Sequence, residues 1–98
     1  MSFEWDSNKA RSNWWKHQIT FEEAVSIFAD PNWQFAPDPE HSDQEKREWA
    51  IGETEQGMIL VVVFTMREDE IRVISARPAT QKEIGRYESG TWISLRSC

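Results

Sequence analysis

Residues 59–77, ILVVVFTMREDEIRVISAR, decide the fold of this 98-residue chain. ILVVVFT is a continuous apolar, β-branched run, long enough for a strand and too short to span a membrane. EIRVISAR is a second β-rich run. Between them Arg67-Glu68-Asp69-Glu70 is a charged cluster that needs water and reads as a solvated turn. The stretch predicts an antiparallel hairpin at the middle of a sheet, with Arg67, Arg72 and Arg77 threaded through it.

The register follows from the turn, whether it takes two residues (Glu68-Asp69) or four (Arg67–Glu70). Phe64 then faces Val73, Met66 faces Ile71 and Leu60 faces Arg77. On the other face Thr65 lies opposite Arg72, Val63 opposite Ile74, and Arg67 near Glu70. Side chains alternate with period 2, so one face is apolar enough to take helices. The opposite face collects Thr65, Arg67 and Arg72.

The length suits one domain over residues 1–98 with a single modest core, fed by six tryptophans and five phenylalanines. No stretch is long and apolar enough for a membrane helix, and MSFEWDSNK does not read as a signal peptide. A lone cysteine, Cys98, supports neither a disulfide framework nor a thiolate metal site. A cytoplasmic protein without cofactor or metal is expected. The net charge of −6 argues against a general nucleic-acid binder. The charge is unevenly spread, however. Residues 1–45 hold three Lys/Arg against nine Asp/Glu, whereas residues 46–98 hold eight of each. Arg72, Arg77, Lys82 and Arg86 outnumber Glu83 within Ile71–Tyr87, so a local positive field is compatible with an acidic protein.

Upstream, Phe3-Glu4-Trp5 reads as a short edge strand. Asp6 or Ser7 can cap a helix running to about His17, with Ala10, Trp14 and His17 along one side. Thr20-Phe21-Glu22-Glu23 is a capping-box signature opening a helix over Ile19–Asp30, which Pro31 ends. Trp33–Phe35 is a candidate short strand and PDPEHSD a loop. Lys46–Glu53 reads as the next strand, and Thr54–Gly57 as its turn into the hairpin. After Pro78, Thr80–Glu83 is a second capping box, and Gly90 ends that helix. Thr91–Cys98 is a short strand or a frayed tail. The order is β-α-α-β-β-β-β-α: an α+β chain with an N-terminal strand and two helices, a mainly antiparallel sheet, and a C-terminal helix.

The residues able to do chemistry are few. His17, as a histidine, can act as acid or base, though a boundary histidine packed on Trp14 is the plainer reading. His41 lies among loop carboxylates, and two isolated histidines make no metal site. Arg47, Arg67, Arg72 and Arg77 each offer a planar fork for phosphate or carboxylate. In acidic surroundings structural ion pairing is the ordinary use of any one of them. Arg47 joins the Arg67 face if it pairs with Thr65, and the core face if it pairs with Phe64. Glu45 by default belongs to a solvated loop, and Tyr87 to an amphipathic helix.

In order and spacing, these residues resemble the BrnT family of type II toxin–antitoxin toxins. The likeness begins with FEWDSNKARSNWWKHQITFEEAVSIFADP, which holds WD-x-x-K, KHxI-x-FEEA and F-x-DP. It continues through D-x-x-HS-x-x-E-x-R, AIG, VVFT-x-R, IR-x-ISAR-x-A and E-x-x-x-YE, and covers roughly residues 3–88. The resemblance implies a RelE-like fold and a ribonuclease that cleaves RNA and inhibits translation. It also implies a BrnA-like antitoxin whose ribbon-helix-helix domain holds the operon's DNA, so that the toxin meets DNA only indirectly. Arg67 and Arg77, with Arg47 in the first register, would stabilise charge on the phosphate. His17, Glu45 or Tyr87 would move protons, and Lys16, Arg72 and Lys82 would hold flanking RNA. Two positions depart from the family: Gln18 replaces the glycine after Lys-His, and Met58 replaces the arginine of a Gly-Arg pair. With the acidic charge, these departures motivate a rival expectation, a non-catalytic module that binds an antitoxin-like partner.

Overall fold

A computed structural model describes residues 2–38 and 46–92. His41, Glu45 and the tail beyond Trp92 fall outside the described residues. The elements are β1 (Ser2–Trp5), α1 (Ser7–His17), α2 (Phe21–Ala24), a 3₁₀ turn (Val25–Ala29), β2 (Gln34–Pro37), β3 (Glu48–Glu53), β4 (Ile59–Arg67), β5 (Glu70–Pro78) and α3 (Gln81–Ser89). Five strands form one sheet in the order β1-β5-β4-β3-β2, so the β4–β5 hairpin is its centre. β1 runs parallel to β5, and the other pairs are antiparallel.

The local signals explain the ends of the helices. Asp6, not Ser7, caps α1 by accepting from the Lys9 N–H. Thr20 accepts from the Glu23 N–H at α2, and Thr80 and Glu83 form a reciprocal capping box at α3. The expected helix over Ile19–Asp30 is shorter than its sequence suggested. α2 makes one α-helical turn, and the chain then tightens into the 3₁₀ segment. Ser26 Oγ donates to the Glu23 carbonyl three residues back, competing with the α-helical ladder.

The inward side of α1 also differs from expectation. Asn13 is buried on it, while Trp14 is 44% and Trp15 75% exposed. β1 pairs with β5 only as far as Val73, which leaves the Ala76 N–H without a strand partner on that side. Asn13 Oδ1 accepts it at 3.0 Å while Nδ2 donates to the Ile19 carbonyl at 3.1 Å. A buried backbone donor thus draws the amide inward and rotates Trp14 out.

α1, α2 and the 3₁₀ turn cover one sheet face. Its core contains Phe21, Ala24 and Ile27 against Ala50, Leu60, Val62, Phe64, Ile71, Val73 and Ala76. Phe28 links the layers, its ring 5.4 Å from Phe64 and 4.9 Å from Trp33. Gly52 sits beneath Ile27, where an added Cβ would lie 2.9 Å from the Ile27 Cβ and 3.2 Å from its carbonyl oxygen. This explains the glycine of the AIG motif. Gly52→Ala should destabilise the protein by about 1–3 kcal/mol through overpacking, read as a lowered urea midpoint with an unchanged m-value.

A second, smaller core lies on the opposite face, where α3 and Trp92 cover Ala36, Ile51 and Val61. Trp92 Nε1 donates to the Trp49 carbonyl, and its backbone N–H donates to Gln34. The sheet is therefore apolar on both sides at this end.

Gln18 closes α1 in the left-handed region at φ 61°, ψ 32°. Its Nε2 donates to the Trp14 carbonyl at 2.8 Å, a partial offset for a conformation that costs an L-residue roughly 1–2 kcal/mol. Gln18→Gly should raise stability by about 0.5–1 kcal/mol once the lost exposed hydrogen bond is subtracted. Thermal unfolding measures this directly.

Candidate functional site

The central hairpin follows the expected register only near its turn. Arg67 pairs with Glu70, Met66 with Ile71, Thr65 with Arg72 and Phe64 with Val73. The turn is thus the two residues Glu68-Asp69, with Glu68 at φ 54°. Beyond Phe64 the register shifts at a β-bulge. Val63 meets Ser75 rather than Ile74, Val61 meets Arg77, and Leu60 meets Pro78 rather than Arg77.

The bulge has a physical reason and a consequence. Strict alternation from Ile71 and Val73 would turn Ser75 and Arg77 into the helix-covered core. Burying an unpaired guanidinium there would cost many kcal/mol, and one extra residue avoids it. Ala76 goes inward, fully buried. Arg77 emerges on the same face as Arg72 and Thr65.

β3 pairs with β4 so that Glu48 lies opposite Phe64, which carries position 47 opposite Thr65. Arg47 therefore belongs to the Arg67 face, the first of the two registers left open by the sequence. Thr65, 1% exposed, donates its hydroxyl to the Lys46 carbonyl at 2.7 Å. That bond fastens the start of the Arg47 segment to the sheet centre. Arg47, Thr65 and Arg72 lie side by side across three strands, spanning roughly 10 Å. Arg67 is one alternation further along β4 and is exposed. Arg72 Nη1 lies 3.3 Å from Glu4 Oε1, its neighbour on β1.

Arg77 stands apart from this group, toward α3. Its fork grips Glu83 in a bidentate pair, Nη1–Oε1 2.8 Å and Nη2–Oε2 2.9 Å. The guanidinium carbon lies 5.8 Å from the Trp49 ring centroid. The bond to Glu83 outweighs burial and raises the Arg77 pKa above its ordinary value. The same bond, against burial and with help from the Thr80 N–H, holds the Glu83 carboxyl below its usual range. Glu83 was legible in sequence as a cap; its second duty, orienting Arg77, was not.

The remaining candidates lie elsewhere. His17 and Lys16 line a polar cleft of about 350 Å³ with Lys9, Ser12, Asn13, Ile74 and Ser75, beside the bulge. Lys82 is exposed on α3. The Tyr87 hydroxyl donates to Asp30 Oδ2, which also accepts from the Glu53 N–H. Burial first, then the bond to Asp30, pushes the Tyr87 phenol well above its ordinary pKa. Burial works to raise the Asp30 carboxyl, but the Tyr87 hydroxyl and the Asn32 and Glu53 N–H groups outweigh it and hold it low. Glu53 ends the strand that Arg47 precedes, so Tyr87 is roughly 20 Å from the Arg47 group along β3. It fastens α3 to the 3₁₀ turn and β3. Trp49 was not singled out in the sequence; Thr65 was placed on the arginine face by its register, but its bond to the Lys46 carbonyl was not foreseen.

Comparison with known proteins gives these features a family. Residues 5–83 match the family described as the ribonuclease toxin, BrnT, of type II toxin–antitoxin systems. A search of curated proteins finds no match. Among solved structures, the chain is similar to the ribonuclease toxin BrnT of Brucella abortus, at 28% identity and a TM-score of 0.62. That alignment covers 83% of this chain and 99% of the Brucella chain. Over most of its length, then, in sequence and in fold, the chain belongs to the BrnT family of ribonuclease toxins of type II toxin–antitoxin systems.

Proposed function

We propose that this chain, acting as one domain in the cytoplasm, is an endoribonuclease that cleaves RNA on the arginine-bearing sheet face and thereby inhibits translation. The observation that carries the reading is the pair of registers. The β3–β4 pairing and the β5 bulge turn Arg47, Arg67, Arg72 and Arg77 to one face of an otherwise acidic protein. In the proposed reaction an RNA 2′-oxygen forms a bond to its own adjacent phosphorus. The bond from phosphorus to the 5′-oxygen breaks, leaving a cyclic phosphate and a 5′-hydroxyl. Arg67 and Arg47 stabilise the charge that builds on the phosphate oxygens, each such donor being worth about 10²–10³-fold. Arg77 supplies a further fork, held in place by Glu83. Arg72 and Lys16 take flanking phosphates, and Lys82 extends the same contact along α3.

Proton transfer is assigned to Glu45, next in sequence to the anchored Lys46, and to His17. Tyr87 is removed from this role, because its raised pKa and its bond to Asp30 keep its proton engaged. The arginines provide the positive charge, so the reaction as proposed takes no metal.

Membership of a type II family implies an antitoxin partner. We assign it the BrnA type, binding operon DNA through its own ribbon-helix-helix domain. The test is purified protein incubated with total RNA in the presence of excess EDTA. Cleavage with cyclic-phosphate ends is expected, and so is its suppression by the antitoxin. No cleavage at any enzyme excess, with tight antitoxin binding retained, would instead establish a binding module of the same fold.

A further inference from the structure

The helix-covered face is not covered throughout. Beyond the reach of the 3₁₀ turn, Trp33, Phe35, Glu48, Phe64, Met66 and Ile71 line an open groove of about 310 Å³. Its floor is Phe64 and Ile71, both buried core residues, and its walls are bare. Phe35 is 45% and Met66 51% exposed, although aromatic and thioether side chains of this size ordinarily go inward. The Trp33 and Phe35 rings stack at 5.4 Å, and Trp33 in turn abuts Phe28. One wall is thus held rigid from the core, while Met66 opposite is the adaptable kind of side chain. The groove runs diagonally from Phe35 on β2, level with Ala50 and Val62, to Met66 on β4 and Ile71 on β5, so its walls stand about 16 Å apart, wide enough to admit one α-helix.

Charge narrows the choice of occupant. Glu48 is part of the lining, and Glu68 and Asp69 are exposed in the turn that follows Met66 and Arg67. Lys46, exposed beside them, offsets one charge of three. An apolar slot with an acidic rim repels RNA and a second copy of a chain of net charge −6, and it favours a cationic amphipathic segment.

We propose that this groove docks an amphipathic helix of a protein partner, with apolar anchors between the Phe35 wall and Met66 and with Lys or Arg along its flanks. The inference rests on the partner-binding half of the function proposed above and is independent of cleavage. It places the partner on the sheet face opposite the arginines.

The test uses two synthetic helical peptides with the same leucine stripe, one with lysines on the polar face and one with glutamates. Binding is followed through the Met66 methyl resonance, assigned by its loss in Met66→Leu. The lysine peptide is expected to shift that resonance and to bind at least about tenfold more tightly than its glutamate twin. Phe35→Glu should abolish the shift, and Met66→Glu should abolish binding read by fluorescence anisotropy of a dye-labelled lysine peptide; both should leave the thermal midpoint and RNA cleavage unchanged. Equal binding of both peptides would overturn the proposal, as would shifts confined to the outer side of β2. So would a concentration-dependent homodimer disrupted by Met66→Glu. Cleavage serves as the separate readout: its absence in the parent protein would refute the nuclease reading and leave the groove result standing.

Discussion

Replacing Arg67 by alanine is expected to lower RNA cleavage by about 10²–10³-fold, the largest single effect at the sheet face. Arg67 is the exposed arginine of the central hairpin, opposite Glu70 and one alternation from Thr65. A fork whose hold strengthens as charge builds on the phosphate stabilises the transition state more than the bound RNA. The loss should therefore fall on kcat, with KM nearly unchanged. Arg67→Lys keeps the charge but not the planar pair of donors, and should recover only part of the rate. An exposed side chain contributes little to the fold, so the thermal midpoint should move by less than about 1 kcal/mol equivalent. Arg11→Ala, on the outer side of α1, is the matched control. Equal loss in both variants would show that bulk charge, not a site, drives cleavage.

The central hairpin was legible because its apolar run and charged turn leave one way to pair. The arginine face was legible only in part, and the bulge shows why. Period-2 reasoning from the turn places Arg77 opposite Leu60, in the core, a burial no arginine tolerates unpaired. That conflict was itself the signal: Ile71, Val73 and Ala76 cannot share one face unless a residue is inserted between Val73 and Ala76. Arg47 was undecidable for a different reason. Both registers of β3 satisfy its own side chains. The choice is made by the five-residue loop Thr54–Met58, where the Thr54 N–H donates to the Met58 carbonyl and Thr54 Oγ1 accepts from the Met58 N–H. Asn13 was missed because it answers an unpaired N–H on β5, a demand that exists only once β1 is known to stop at Trp5. Gln18 was legible in full. A helix-ending position that favours glycine keeps its left-handed geometry when glutamine occupies it.

Arg77 and Glu83 give the other large expected effect, and they separate a strut from a site. Glu83 serves two partners, the Arg77 fork and the Thr80 N–H that opens α3. Glu83→Ala should therefore cost about 1–3 kcal/mol through the lost charged pair and cap, seen as a lower urea midpoint. Arg77→Ala loses the same pair and should cost a similar amount of stability. The two variants part in cleavage. Glu83→Ala leaves the Arg77 fork present but no longer held, so the molecules that remain folded should lose only about tenfold, whereas Arg77→Ala should lose about 10²-fold. The pair also fixes a pH dependence. The folded Glu83 pKa lies below its ordinary 4.5, so its contribution to stability is complete above that value and fades as pH falls through the depressed one. Glu83→Gln should flatten this part of the acid limb and leave the neutral plateau lower. If Arg77→Ala melts early yet cleaves at the parent rate, the fork does no more than hold α3 to the sheet, and the charge on the phosphate falls to Arg47 and Arg67 alone.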